Sequence, residues 1–408
     1  MFLSENTFTF LFLIAVFTPA QQRIIYMLSD SQQFTKCPVE DCYNFRVLIN
    51  NGLLLGDISN TMIVFQSGTH TISSAVSKII SINSATNLTL RAANSLTSTG
   101  ATVKCNGFIG FTFRYISGLN ISGITFDTCD GVTKSNHPDG TGTDIETFSL
   151  SIVYSYNVTL KTVTIKRGKG NGLLVRCVYG YFVLSQTNLT MNNINLNIII
   201  EDDENASPTS STIISITDSV FSYGQLTTPF CNYSSGMILR LLLENATTFF
   251  GVKLVNITSN ENLNCFDNCN NINMYIKFNI FTTSIMIKNY TSTYDPVTRP
   301  KHNNCIDTGL MLGLCREYDS LTEDLDECLY SCPVIIENTL FSKSGVHIWT
   351  LGWLGFEGYV SVNFSNVLIE GAHSGIVIYS ELSELFEDED DPEVHLTVTL
   401  KNVTVQNT

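Results

Sequence analysis

The sequence predicts an all-β chain wound as a solenoid, its short strands stacked in parallel from coil to coil. Three observations lead there. A phrase alternating apolar residues with Asn, Ser or Thr recurs as Leu119-Asn-Ile-Ser-Gly-Ile-Thr-Phe126, Val158-Thr-Leu-Lys-Thr-Val-Thr-Ile165, Val362-Asn-Phe-Ser-Asn-Val-Leu-Ile369 and Leu396-Thr-Val-Thr-Leu-Lys-Asn-Val-Thr-Val405. Strongly helical periods are rare. Glycine and asparagine punctuate the phrases, as expected where corners need positive φ. The spacing is irregular. Setting aside the polar loop from Val132 to Glu146 and the acidic stretch from Glu381 to Glu393 leaves a core unit in the low twenties. Solenoid repeats run to roughly 20–50 residues.

The elements follow in order. Residues 1–20 read as a signal peptide: Phe8 to Phe17 is apolar, and Thr18-Pro-Ala20 supplies small cleavage-site residues. The expected n-region cation is missing, and Glu5 stands there instead. Residues 21–75 form a cap and the first strands. Arg23-Ile-Ile-Tyr-Met-Leu28 is a strand, and Phe45 to Gly52 fits a short capping helix. Met62-Ile-Val-Phe65 and Gly68-Thr-His-Thr-Ile72 read as strand, turn, strand. Repeats occupy 76–304, with Asn87-Leu-Thr-Leu90 the first phrase. The acidic, Cys-dense stretch 305–333 reads as an insertion. Repeats resume over 334–408, from Val334-Ile-Ile-Glu-Asn-Thr-Leu-Phe341, and stop at Thr408 within a phrase, which reads as a truncation. Stacked corner asparagines can form a hydrogen-bonded ladder, but Asn120, Asn157, Asn366 and Asn402 do not share one register in the phrase.

Composition narrows the function classes. Hydrophobic content of 44% with 14% charged residues excludes disorder. A net charge of -15 excludes a general basic footprint for nucleic acid and disfavours anionic membrane surfaces. No later run reaches the ~18 apolar residues of a membrane span. Acidity concentrates from Arg316 to Glu327 and from Glu381 to Glu393. These read as solvated loops. A weak Ca²⁺ site is the alternative, although Glu384-Leu-Phe-Glu-Asp-Glu-Asp-Asp391 lacks the glycine of an EF-hand loop.

All twelve cysteines follow the signal segment: Cys37, Cys42, Cys105, Cys129, Cys177, Cys231, Cys265, Cys269, Cys305, Cys315, Cys328 and Cys332. An even count in a secreted chain reads as disulfides. Cys37 and Cys42 are close enough to close a small loop. The C-x-x-x-C spacings at Cys265/Cys269 and Cys328/Cys332 do not fit a zinc site. Eleven Asn-x-Ser/Thr sequons stand at Asn87, Asn120, Asn157, Asn188, Asn205, Asn232, Asn245, Asn256, Asn289, Asn363 and Asn402. That is only slightly more than the chain's Asn, Ser and Thr content gives by chance. Several sit within the strand phrase, where Asn has a structural reason to be.

The first 130 residues carry a more specific pattern. It runs Cys37-Pro with Cys42, Phe65-Gln-Ser-Gly-Thr-His70, Asn87-Leu-Thr-Leu, Val103-Lys-Cys105 and Gly110-Phe-Thr-Phe113. It closes with Ile116-Ser-Gly-Leu-Asn-Ile-Ser-Gly-Ile-Thr-Phe-Asp-Thr-Cys129. In this order the pieces resemble the secreted right-handed parallel β-helix proteins found in large, divergent sets in sponges and other invertebrates. The resemblance implies the right-handed, pectate-lyase-like superfold and an extracellular location. It implies no activity.

That superfold also hosts pectate lyases and polygalacturonases. The polygalacturonase pattern Asn-Thr-Asp, Asp-Asp, Gly-His-Gly, Arg-Ile-Lys is represented only by Asp202-Asp203 and Gly371-Ala-His-Ser-Gly375. Inverting enzymes need an acid and a base carboxylate ~6.5–9.5 Å apart, and here no Asn-Thr-Asp precedes these fragments and no Arg-Ile-Lys follows them. His373 reads as structural or exposed. A lyase needs a Ca²⁺ cluster with a basic residue nearby. The pieces available are Asp127, Asp130, Asp139 and Asp144 with Arg167 and Lys169, although Asp139-Gly-Thr-Gly-Thr-Asp144 suits a turn for backbone reasons alone. No Ser-His-Asp or Cys-His set is evident. Trp349, Trp353, Phe356 and Tyr359, separated by glycines, read as a core and turn cluster, with sugar or protein binding the alternative. The expectation is a secreted β-helix without catalytic, metal or cofactor residues, offering a surface to an extracellular protein or glycan. The alternative is a divergent polysaccharide lyase or glycoside hydrolase.

Overall fold

The structure, a computed structural model, describes residues 22–31, 41–44, 57–73, 78–93, 100–136, 143–168, 170–190, 192, 194–200, 212–222, 236–243, 250–261, 270–278, 282–294, 306–314, 330–352, 358–372, 374–382 and 394–407. Among them the chain is a right-handed parallel β-helix with three sheets running its length. Each coil passes through a third-sheet strand, then a first-sheet strand, then a second-sheet strand. One early coil shows the order: Lys78–Asn83, Thr86–Ala92 and Ala101–Asn106. The next coil lays Ile109–Arg114, Ser117–Ser122 and Ile124–Asp127 on them. Later coils fuse strands across a corner, as in Tyr330–Ser342, Gly358–Glu370 and Val394–Gln406.

Alternation explains the core. On the first sheet, Leu88, Leu119, Val158, Phe182, Ile214 and Val252 occupy one inward column and are each at most 2% exposed. Parallel register stacks like on like, so one apolar position per phrase becomes a continuous core. Outward positions carry Thr, Ser, Asn and Lys.

The corners are single residues in the left-handed region. Between the first and second sheets stand Gly123, Thr162, Gln186, Asp218, Asn256, Asn289, Asn338, Asn366 and Asn402, all at positive φ. From Asp218 onward they form one column. The Asn256 amide donates to Asp218 (2.6 Å), Asn289 to Asn256 (2.8 Å), Asn366 to Asn338 (3.0 Å) and Asn402 to Asn366 (3.1 Å). Asn366 and Asn402 thus share a ladder. Asn157 belongs to a different corner, and Asn120 lies outward on the first sheet. Ladder partners are 38, 33, 28 and 36 residues apart in sequence, so unequal insertions hide the common register.

Two expectations change. Part of the predicted polar loop from Val132 to Glu146 is an antiparallel hairpin, Gly131–Asn136 against 143–148. Its base passes close over Gly110, where a Cβ would stand 2.6 Å from the Gly131 Cα. The stretch 305–333, read as an insertion, contributes Ile306–Leu314 as a regular third-sheet strand between Asn270–Phe278 and Gly345–Gly352. Its Leu310-Met-Leu312 core shows no polar alternation. The outer face of this sheet is itself covered in places, as the buried cluster of Phe148, Leu174 and Ile199 shows. A strand covered on both faces reads as an unbroken apolar run. The expected helix from Phe45 to Gly52 lies outside the described residues, as does the signal segment.

Candidate functional site

The strongest sequence candidates for chemistry meet at the end of the second sheet. In Ile124–Asp127, Phe126 enters the core and Asp127 faces outward. One coil on, Ile165 repeats Phe126 and Lys166 repeats Asp127. The next residue, Arg167, turns the corner at φ 63°. That conformation brings its guanidinium back over the previous coil. Arg167 Nε donates to Asp127 Oδ1 at 2.7 Å, and a second guanidinium N–H donates to Oδ2. Lys166 Nζ lies 3.8 Å from the same oxygen. Asp127 is 5% exposed. The hydrogen bond to its carboxylate raises the Arg167 pKa above its already high value. A bidentate pair of this kind satisfies both partners and leaves little carboxylate surface for a ligand.

The neighbouring polar atoms are also engaged. The Gly168 N–H donates to Asn192 Oδ1 at 3.0 Å. The fully buried Asn192 amide donates to the Ile165 and Thr190 carbonyls and to Asn195 Oδ1. Asp130 is buried beside this corner, its N–H donating to the Ile109 carbonyl. Asp144 sits in the hairpin opposite Ser135. The structure thus brings Asp127, Asp130 and Arg167 to one region and puts Asp144 on the hairpin. Asp139, Lys169, His373 and Asp202-Asp203 lie outside the described residues, as do the side chains of Asp144, Trp349, Trp353, Phe356 and Tyr359. The acidic stretch from Arg316 to Glu327 lies outside them as well. Of the other, only 381 and 382 are described, as backbone at the end of Ile376–Leu382. Among the described residues no group of His, Cys, Asp and Glu could hold a metal ion, and no helix is long and apolar enough to cross a membrane.

The same corner region holds a covalent tie. Cys105 and Cys129 form a disulfide between successive coils, with Cα atoms 4.8 Å apart. Cys42 is disulfide-bonded. Cys177 and Cys332 are buried. Cys37, Cys231, Cys265, Cys269, Cys305, Cys315 and Cys328 lie outside the described residues. The sequons fall into two groups. Asn87, Asn256, Asn289 and Asn402 are corner residues whose amides donate to the preceding coil, and Asn157 is a corner residue as well. Asn120 and Asn188 are exposed on strands, and Asn363 is half-buried on the first sheet. Asn205, Asn232 and Asn245 lie outside the described residues.

One feature escapes sequence reasoning. Tyrosines line the corner between the third and first sheets in three successive coils. Tyr115 and Tyr154 are stacked, with centroids 5.5 Å apart and planes at 11°. Tyr156 and Tyr179 lie 5.2 Å apart at 35°. The Arg114 guanidinium stands 6.0 Å above the Tyr115 ring. Tyr115 is 53% exposed and Tyr156 42%, Tyr154 is half-buried, and Tyr179 is buried beneath Tyr156. Tyr115 and Tyr154 also take the left-handed conformation, at φ 56° and 47°. For a bulky side chain that is an outlier costing about 1–2 kcal/mol. The signal in sequence is Tyr154-Ser-Tyr156 followed by Tyr179-Gly-Tyr181, but only the coil register aligns the pairs.

Comparison with known proteins adds the fold alone. No protein-family model matches the chain, and no curated protein sequence is similar to it. Among solved structures it is similar to pectate lyase Pel9A, at 10% identity and TM-score 0.39 over 89% of this chain and 79% of that one. A rhamnogalacturonan lyase matches at 10% identity and TM-score 0.38 over 94% and 87%. The Streptococcus pneumoniae surface protein and adhesin PfbA matches at 12% identity and TM-score 0.21 over 85% and 91%. These are likenesses of winding, and one winding carries many functions.

Proposed function

We propose that this chain is a secreted, glycosylated β-helix that presents its surface for extracellular recognition or adhesion, akin to the expanded invertebrate families it resembles. The observation that carries this reading is the Asp127–Arg167 pair. The lyase reading draws on Asp127, Asp130, Asp139 and Asp144 with Arg167 and Lys169, and of these Asp127 and Arg167 occupy each other. The inter-coil disulfide is in keeping with an oxidising compartment. Its partner is an extracellular protein or a glycan, with no cofactor required. The test pairs binding with turnover. The purified full chain is applied to a polysaccharide and glycoprotein array, while unsaturated products and new reducing ends are followed over the same ligands. Binding without product is the expected result. Product that disappears in Asp127→Asn would overturn the reading and restore the lyase or hydrolase alternative.

A further inference from the structure

We infer that the tyrosine-lined corner between the third and first sheets is a binding site for an acidic polysaccharide lying along the solenoid axis. This deepens the recognition reading and rests on it.

The first argument is conformational. Successive coils place Ser84, Tyr115, Tyr154 and Cys177 at the same left-handed corner position. Glycine or asparagine would hold that conformation at lower cost. The corner therefore does not need tyrosine, and two coils carry it against their backbone preference. Tyr115 is also largely exposed, so core packing does not account for it. Thr162, Gln186 and Lys343 hold the same conformation at other corners, so it is the choice of an exposed tyrosine, not the turn itself, that points to function.

The second argument is charge. Between Asp57 and Asp127 the chain holds Lys78, Arg91, Lys104 and Arg114 and no carboxylate. Between Glu146 and Glu201 it holds five basic residues and again no carboxylate. Every residue of the tyrosine corner falls within these two stretches. In a chain of net charge -15 this is a local reversal of sign. Arg114 sits against Tyr115, where a guanidinium can reach a carboxylate or sulfate in bidentate fashion.

The third argument is spacing, and it selects the polymer. The coils repeat at about 4.8 Å, and the paired tyrosine rings lie 5.5 and 5.2 Å apart. Pyranose rings recur along an extended sugar chain at a distance close to that. An extended peptide presents like-facing side chains about 6.6 Å apart and falls out of step within two coils. Tyrosine suits a sugar chain chemically, with a rigid apolar ring for the sugar face and a hydroxyl for its edge.

The test uses the purified full chain against immobilised chondroitin sulfate and polygalacturonate, with neutral dextran and poly-glutamate as comparison probes. Binding to at least one acidic glycan is expected, weakening as salt rises, with little to dextran or poly-glutamate. Tyr115→Gly and Tyr154→Gly together should lower affinity by about tenfold or more. Their melting temperatures should not fall, because glycine relieves the corner strain. That combination separates a binding role from a structural one. Lys343→Gly, at a distant left-handed corner, should leave binding unchanged. Equal binding to poly-glutamate, or full affinity in the tyrosine variants, would overturn the site while leaving glycan recognition standing. Binding confined to proteins on the array would also overturn the site and leave the recognition reading intact. Product release would instead remove that reading.

Discussion

Asn289 shows what a corner residue contributes. It holds φ 54° and donates its amide to Asn256 at 2.8 Å. Alanine there loses the hydrogen bond and meets the steric cost of the left-handed region, together about 2 kcal/mol. Glycine loses only the hydrogen bond, about 1 kcal/mol. Urea unfolding of Asn289→Ala and Asn289→Gly should separate by that difference, and equal losses would argue against the backbone contribution. His70 supplies a second residue-scale case. It points inward beside Phe65, fully buried, with Nε2 donating to the Gln66 carbonyl at 2.8 Å. Burial pushes its pKa below the usual histidine value, and the hydrogen bond to Gln66 opposes that only in part. The unfolded chain then binds a proton that the folded chain refuses. Stability should be full above about pH 6.5 and fall as pH drops below it. Burial moves His347 the same way. Thermal melts from pH 7.5 to 5 should show the decline, and His70→Leu should reduce it, leaving the share that His347 contributes.

At the scale of elements, a coil holds to its neighbour by more than sheet hydrogen bonds. The Asp127–Arg167 pair joins strands 40 residues apart in sequence. Arg167→Met would leave a buried carboxylate with only Lys166 nearby, at an expected cost of about 2–3 kcal/mol. Asp127→Asn would leave a half-exposed guanidinium in water and should cost about 1 kcal/mol. An order reversed in chemical denaturation would show that Asp127 is better solvated than its 5% exposure indicates. The strands themselves were legible in the sequence where one face is wet. Leu119 to Phe126 and Val158 to Ile165 alternate cleanly, and both form as expected. Ile306–Leu314 was not legible, because both of its faces are covered in part and the alternation vanishes. The candidate site was legible only as a set of residue types. Asp127 and Arg167 could be named, but their mutual saturation depends on a coil length that sequence does not reveal. The tyrosine corner was hidden for the same reason, since Tyr115 and Tyr154 become neighbours only when the hairpin between them is counted out.

Across the whole molecule, each coil touches only the coils beside it, so stability is set by local interfaces rather than by one shared core. The interior coils are stacked on both sides. Among the described residues Val394–Gln406 and Ile376–Leu382 each pair along one edge, with Gly358–Glu370 and Gly345–Gly352. Leu400 and Val405 stand in register with the buried Phe364 and Ile369, yet they are 56% and 46% exposed. Their inward side therefore gains little from apolar burial, and the ladder bond from Asn402 to Asn366 is among the few side-chain ties holding the strand. Local opening free energies follow such differences. Hydrogen exchange read by mass spectrometry on the 408-residue chain should show Val394–Gln406 and Ile376–Leu382 exchanging first. The coils containing Ser117–Ser122 and Asn171–Ser185, stacked on both sides and tied nearby by the Cys105–Cys129 disulfide, should exchange last. Reduction of that disulfide removes a closure worth about 3 kcal/mol in the chain-entropy account and should shorten protection there while leaving Val394–Gln406 unchanged. Uniform exchange along the chain, with or without reductant, would mean that the solenoid opens as a single cooperative unit. The additive view of its stability would then fail.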